Sequence, residues 1–496
     1  MLFNSIQYVL FLPLVLLVYY VIPDRGKTLW LLLCSYFFYM CWNAGYLLLI
    51  LVSTLVTWLC ALALERIDRD APPERRASRK KLAVGINLFI NLAILFFFKY
   101  YHFALDNLEA LLAPAHIQLH RPAFDVLLPV GISFYTFQAI GYTIDVYRGD
   151  TKPEHNLFRY ALFVSFFPQL VAGPIERSGN LLSQLSVPHR LRFENLLEGL
   201  YLILWGYFLK IVLADRIAPF VDLIYGPDHA DYGGLPVILA SVLFVVQIYC
   251  DFAGYSIIAM GSAKMLGIEL MENFDTPFLS RTVSEFWRRW HISLSSWFRD
   301  YLYIPLGGSR RGKVRKVLNT LITFAVSGLW HGADWGFVVW GLINGIYQVV
   351  GSALRPAREK LDRALCLDTD SSGYHLWQRL FTFVCFALSM VFFRARTVRT
   401  AVSMLRSMLY IKPGHFFSDP FFGTIDGPNA VVLILGLLVL LFADCLKYRG
   451  VKVRGVLMRQ DWLFQAVFLS VSVTAILLFG VWGSAYHAAS FIYFQF

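Results

Sequence analysis

Charge is scarce in this 496-residue chain: only 16% of its residues are Asp, Glu, Lys or Arg, against about 25% in a water-soluble domain. Length alone would suggest about three soluble domains, but that expectation assumes water-soluble cores. Paired cysteines are also missing. The seven cysteines (Cys34, Cys41, Cys60, Cys250, Cys366, Cys385 and Cys445) form no CxxC and no paired spacing, so no disulfide framework is expected. Asp251 follows Cys250 and disfavours a thiolate there, which fits a small apolar filler better than a nucleophile. Neither a P-loop nor a G-x-G-x-x-G is present, and G-x-S-x-G is missing too. Nucleotide-driven pumps and the common serine hydrolases are thereby disfavoured. No His/Cys/Asp cluster has metal-ligand spacing, so no metal is expected. Nor does the chain repeat internally, which weakens a transporter built from duplicated halves.

Apolar residues make up 57% of the chain and aromatics 17%. A bilayer core of about 30 Å needs about 20 apolar residues in a helix. Candidate crossings lie near 5–22, 28–42, 45–64, 82–100, 157–172, 196–224, 235–266, 316–331, 333–352, 375–394, 429–445 and 462–483. The stretch 127–147 is interrupted by Pro129, Gly131 and Gly141 and reads as broken or re-entrant. The expected fold is therefore all-α: one polytopic membrane domain over residues 1–496, with about eleven to thirteen transmembrane or re-entrant helices. The apolar N-terminus lacks a basic n-region and a small-residue cleavage site, so it reads as a retained first helix. The net charge of +11 has no phosphate-reading motif beside it. It fits Lys and Arg facing anionic lipid headgroups and does not point to nucleic acid.

Basic loops set the orientation. Residues 65–81 carry seven Lys/Arg, and 309–316, 355–363 and 447–454 are similarly basic, so all four are expected in the cytoplasm. The segment 316–352 must then enter the bilayer and return, which puts His331 near the turn of a hairpin. Fifteen residues of helix climb about 22 Å, beyond the bilayer midplane. An ionisable group at that depth is costly and marks function by default. Burial favours neutral imidazole, available as a general base. The competing reading is a histidine that simply bonds to a neighbouring helix. Trp330 and Trp335 would shape a dry pocket around it, and Gly328, Gly332 and Gly336 fall four apart, which permits close helix approach.

The second element is RTVSEFWRRWHISLSSWFRDYLYIPLGG at 281–308. On a single helix, Trp287, Trp290, His291, Leu294, Trp297, Phe298 and Tyr301 would form one aromatic face, with Glu285, Arg288, Arg289, Ser296 and Arg299 opposite. The arginines could meet lipid headgroups or the phosphates of a nucleotide-like donor. His291, taken alone, reads as a packed histidine. Asp251 sits in a long apolar run and needs a partner, either an ion pair or an orienting contact with histidine, Arg or Tyr. Asp300 is a further polar residue expected at membrane depth. Gly and Pro in 128–150 and 167–177 suggest broken helices lining a cavity, with Gln138, Asp145, Gln169 and Glu176 as their polar residues.

EFWRRWHISLSSWFRDYLYIPLGG, followed about forty residues from His291 by SGLWHG, resembles the membrane-bound O-acyltransferase family. LPVGISFYTFQAIGYTIDVYRGD, FPQLVAGPI, YCDFAGYS and MENFDTPF are similar to its bacterial branch, typified by a membrane protein of alginate O-acetylation. The match runs from LFNSIQYVLFLPLVLLVYY to about residue 350 and is weaker over 351–496. The resemblance implies a catalytic His331 with His291 as a second active-site histidine, in a tunnel open to both membrane faces. It implies a cytoplasmic acyl donor, acetyl-CoA, met by Arg288, Arg289, Trp290 and Trp330, with no permanently bound cofactor. It further implies a hydroxyl acceptor on the outer side, a periplasmic acetyltransferase partner protein and an exported polysaccharide, all at the bacterial inner membrane. The alternatives are a long-chain or lipid O-acyltransferase and a proton-coupled transporter using His331 and Asp251. Residues 395–430 carry no chemical signal, and the aromatic C-terminus SFIYFQF fits an interfacial belt or a partner-binding helix.

Overall fold

The computed structural model describes residues 1–116, 128–171, 173–227, 232–410 and 423–482, and among these every regular element is helical. The all-α, polytopic expectation holds. Eight helices among the described residues are long and apolar enough to cross a membrane: 44–70, 73–115, 193–224, 234–265, 335–364, 372–394, 427–448 and 462–479. Other expected crossings form shorter or more charged helices, such as Ile6–Val21 and Lys313–His331. Residues 411–422 and the terminal SFIYFQF lie outside the described residues.

The chain forms two compact units, Met1–Leu200 with Ile258–Met271, and Tyr201–Ile257 with Glu272–Phe496. The first holds α1 (Ile6–Val21), α2 (Asp24–Met40), α3 (Leu47–Asp70), α4 (Pro73–Leu95), α5 (Tyr101–Leu112), α6 (Ile132–Arg148) and α7 (Leu157–Ser165). With little hydrophobic force between helices in lipid, buried polar side chains supply adhesion. On α3, Ser53 donates to Asn91 Oδ1 of α4 at 2.6 Å; Asn91 in turn donates to Asn87, whose Oδ1 accepts from Thr143 of α6. The helix α6 runs unbroken through Gly141, so the expected interruption is confined to the residues before Ile132, where Gly131 adopts φ +74°. The crossing expected over 157–172 is not one helix: α7 stops at Ser165, ahead of the Gly- and Pro-bearing segment 167–177, and Gln169 and Gln138 both donate to the carbonyl of Phe163. Glu176, buried, accepts from the Met271 N–H at 2.6 Å and from Asn180 at 2.7 Å.

Helix α8 (Phe193–Tyr207) and helix α10 (Gly234–Met265) contribute residues to both units, and α9 (Asp215–Ile224) lies between them in sequence. The second unit continues with α11 (Val283–Arg289), α12 (Ile292–Phe298), α13 (Lys313–His331), α14 (Trp335–Ala364), α15 (Ser372–Arg394), α16 (Val398–Ser407), α17 (Gly427–Tyr448) and α18 (Trp462–Phe479). Its centre is the α13–α14 hairpin. Helix α13 ends at His331, Gly332 is extended, and the Asp334 side chain caps α14 by accepting from the Gly336 N–H at 2.7 Å. A carboxylate at that position meets a donor the helix start leaves unsatisfied. The two helices touch backbone to backbone: a methyl group on Gly328 would collide with the carbonyl of Phe337, and one on Gly341 with that of Phe324.

Candidate functional site

The hairpin delivers His331 to a buried position at the last residue of α13. Its Nδ1 lies 2.7 Å from the carbonyl oxygen of Ser327, one turn back on the same helix. A carbonyl can only accept, so Nδ1 carries the hydrogen, and in the neutral ring the lone pair is on Nε2. The histidine is therefore held in one tautomer by a carbonyl of its own helix. Trp330, Trp340 of α14 and Phe393 of α15 surround it edge to face, at ring-centroid distances of 5.0, 4.9 and 5.6 Å.

His291 arrives from a different element, and its ring centroid is 6.3 Å from that of His331. The segment 283–298 is not the continuous helix that the aromatic spacing suggested. It breaks at Trp290, which is extended, and His291, which takes φ +43°, ψ +55°. That left-handed backbone costs a non-glycine residue roughly 1–3 kcal/mol and persists only where the surroundings impose it. Here the surroundings are Asn273. Its carbonyl accepts from the Ile292 N–H at 2.9 Å, its Oδ1 accepts from the Ser293 hydroxyl at 2.6 Å, and its Nδ2 donates to Ser256 at 3.1 Å. All three polar residues are buried. Phe252 then closes on the His291 ring edge to face at 4.7 Å.

The aromatic face remains despite the break. Trp287, Trp290, Leu294, Trp297 and Phe298 are buried while Arg288 and Arg299 are exposed. These aromatics pack inside the protein, so the segment is not a simple surface helix with its apolar side in lipid. Trp290 stacks on Phe286 at 5.4 Å and meets Phe274 and Phe386. Trp330 flanks both imidazoles, its ring centroid 6.0 Å from that of His291 and 5.0 Å from that of His331. Arg289 is engaged by Asp275 at 3.0 Å and Glu285 at 3.2 Å and lies over the ring of Tyr448. Asp300 pairs with the adjacent Arg299 at 2.8 Å.

Asp251 has the partner its burial demanded. Lys210 approaches it at 2.7 Å and approaches Asp215 at 2.9 Å, and all three side chains are at most 5% exposed. The sequence reading did not find Lys210, Asp215, Asn273, Asp334 or Trp340. A second buried carboxylate, Asp444, accepts from the hydroxyl of Tyr249 at 3.3 Å. No group of three or more His, Cys, Asp or Glu able to hold a metal occurs among the described residues.

Two helix ends thus converge a lone-pair imidazole and a second buried imidazole inside an aromatic enclosure. Such a site can take a proton from a hydroxyl where water is sparse. Comparison with known proteins places the same residues in one context. Residues 153–393, which include both histidines, match the family model described as MBOAT, membrane-bound O-acyltransferase family. A Pseudomonas putida protein named "Probable alginate O-acetylase AlgI" is 37% identical over 400 residues, covering 80% of this chain and 78% of that one. The "Peptidoglycan O-acetyltransferase" of Helicobacter pylori is 34% identical over 442 residues, covering 82% and 80%. The "Teichoic acid D-alanyltransferase" of Streptococcus thermophilus is 35% identical over 236 residues, covering 45% and 57%.

Proposed function

Because this chain belongs to the membrane-bound O-acyltransferase family and is a multi-pass membrane O-acyltransferase, we propose that it transfers acetyl from cytoplasmic acetyl-CoA for O-acetylation of an exported polysaccharide such as alginate. In this reading the acetyl group crosses the bacterial inner membrane and is handed to a periplasmic acetyltransferase partner protein. The relatives named for alginate and for peptidoglycan support an exported glycan as the final acceptor. The basic segments 65–81, 309–316, 355–363 and 447–454 support a cytoplasmic side for the ends of the α13–α14 hairpin.

The observation that carries the mechanism is the Nδ1–H bond from His331 to Ser327. It leaves Nε2 as the basic atom. The acceptor hydroxyl gives its proton to Nε2 as its oxygen attacks the thioester carbonyl. The C–S bond then breaks, and the thiolate of coenzyme A takes the proton back from the imidazolium. The C-terminal end of α13 carries partial negative charge, which complements the cation formed in the interval. A placed general base contributes about 10²–10⁴-fold. His291 orients the reacting groups from the opposite side. Of the two arginines assigned to the donor, exposed Arg288 suits its phosphates better than Arg289, whose guanidinium already meets two carboxylates.

Transfer of radiolabelled acetyl from acetyl-CoA by detergent-purified protein is the test. His331→Ala should lower turnover at least about 10²-fold. Wild-type turnover in that variant would refute the assignment of the base, and proton-coupled solute flux with no acetyl transfer in the wild type would refute the reaction itself.

A further inference from the structure

Buried tryptophans nearly always give their indole N–H to an acceptor. In the second unit, Trp287 does so, donating to Asn344 Oδ1 at 3.3 Å. Trp340, one turn earlier on α14 than Asn344, does not. Its side chain is among the most deeply buried in the protein, yet its Nε1 has no hydrogen-bond acceptor in the structure. Its backbone carbonyl is occupied by Asn344 Nδ2 at 2.9 Å, so the residue is fixed in place while its one side-chain donor goes unused. The ring is wedged against Trp287 at 5.7 Å and Phe393 at 5.0 Å. Its nearest ring neighbour is the His331 imidazole, at 4.9 Å and 75°.

A buried donor without an acceptor, adjacent to a general base, has the properties of a preorganised group waiting for charge that exists only during reaction. We propose that Trp340 Nε1 is an oxyanion donor: it hydrogen-bonds the carbonyl oxygen of the thioester as that oxygen becomes negative. This rests on the acyl-transfer reading above and adds a residue to it. As the acceptor oxygen bonds to the carbonyl carbon, the C=O electron pair moves onto oxygen, where the indole N–H receives it. When the C–S bond breaks, the pair returns to re-form the carbonyl, and the leaving thiolate takes the proton from His331 Nε2. The indole keeps its own proton throughout. Base and donor then flank one tetrahedral carbon, the arrangement acyl transfer needs, with reacting atoms about 3 Å from each group.

Trp340→Phe keeps an aromatic wedge and removes the N–H. Steady-state transfer of labelled acetyl from acetyl-CoA should show kcat falling about 10²-fold with KM for acetyl-CoA little changed, since the bond is made mainly in the transition state. A variant carrying 3-benzothienylalanine at position 340, which replaces N–H by sulfur in a ring of nearly the same shape, should lose the same factor and retain the wild-type melting temperature. That second variant settles the matter if the smaller phenyl ring unfolds the protein. Unchanged kcat in the benzothienyl variant would overturn the proposal. So would a loss confined to KM or to melting temperature. A wild-type protein that transfers no acetyl would instead overturn the reading on which the proposal depends.

Discussion

Replacing Lys210 by methionine isolates the strongest electrostatic feature of the second unit. The ammonium lies between Asp251 and Asp215 at 2.7 and 2.9 Å, and neither carboxylate is more than 5% exposed. Methionine preserves most of the volume but leaves two buried carboxylates facing one another with no cation between them. Removing one partner of a buried ion pair costs about 3–5 kcal/mol, because the remaining charge keeps its desolvation penalty. With one cation serving two buried carboxylates, the upper half of that range applies, which is roughly a 10³-fold shift in the unfolding equilibrium. Denaturation of purified protein in mixed micelles should therefore show Lys210→Met strongly destabilised. The triple variant Lys210→Met, Asp215→Asn, Asp251→Asn removes the stranded charge and should recover most of the loss, as apolar or neutral replacements of buried ion networks generally do. A Lys210→Met protein as stable as wild type would refute the argument. A triple variant no better than the single one would show that the destabilisation comes from packing and not from charge.

Two further substitutions probe how the histidines are held. Asn273→Ala removes the acceptor for Ser293 and the donor to Ser256; it should cost about 1–3 kcal/mol in a melting experiment. Because only the backbone bond from Ile292 to residue 273 then remains to hold the left-handed backbone of His291, acetyl transfer per folded molecule should fall at least tenfold, and unaltered turnover would detach the Asn273 side chain from the site. Gly341→Ala and Gly351→Ala form a matched pair within α14. A methyl group at 341 meets the Phe324 carbonyl, whereas nothing lies within 4 Å of one at 351. The first should lower stability by about 1–3 kcal/mol through overpacking, while the second should be neutral or gain up to about 1 kcal/mol from helix propensity. Equal melting temperatures for the two would contradict the close packing of the hairpin.

The hairpin was legible because the features that build it are local. Basic residues flank 316–352, the apolar run is interrupted once, and the interruption contains His331. Small residues at four-residue spacing announced the close approach that Gly328 and Gly336 now show, while Gly341 lay outside that pattern. The division of 281–299 into aromatic and charged sides was legible for the same reason. Lys210 was hidden by geometry. Five residues along an α-helix turn the chain through about 500°, so Lys210 and Asp215 would point some 140° apart. They meet on one side because Phe208–Ala214 is wound as a π-helical segment, and such turns are frequent at functional sites. Nothing in FLKIVLAD announces that winding. Trp340 was hidden differently: in FVVWGLI it reads as one more apolar residue, and only the missing acceptor separates it from Trp287.

The break at Trp290–His291 shows why the two histidines could be named from sequence while their relation could not. No proline or glycine interrupts EFWRRWHISLSS, and its spacing suits one helix, so local propensity favours continuity. What overrides it is Asn273, eighteen residues earlier, which captures the first N–H of α12 and the hydroxyl of Ser293. With the helix continuous, His291 would share the ladder and the direction of its neighbours. With the helix broken, His291 takes up its own direction, into the ring of Phe252 on one side and towards Trp330 and His331 on the other. His331 is fixed by the complementary device, a helix that ends on it and lends it a carbonyl. The chemistry proposed for this pair depends on a tautomer and on a backbone conformation. A relative that keeps both histidines but loses the asparagine cap would keep the residues of the site without its geometry, and should be correspondingly slow.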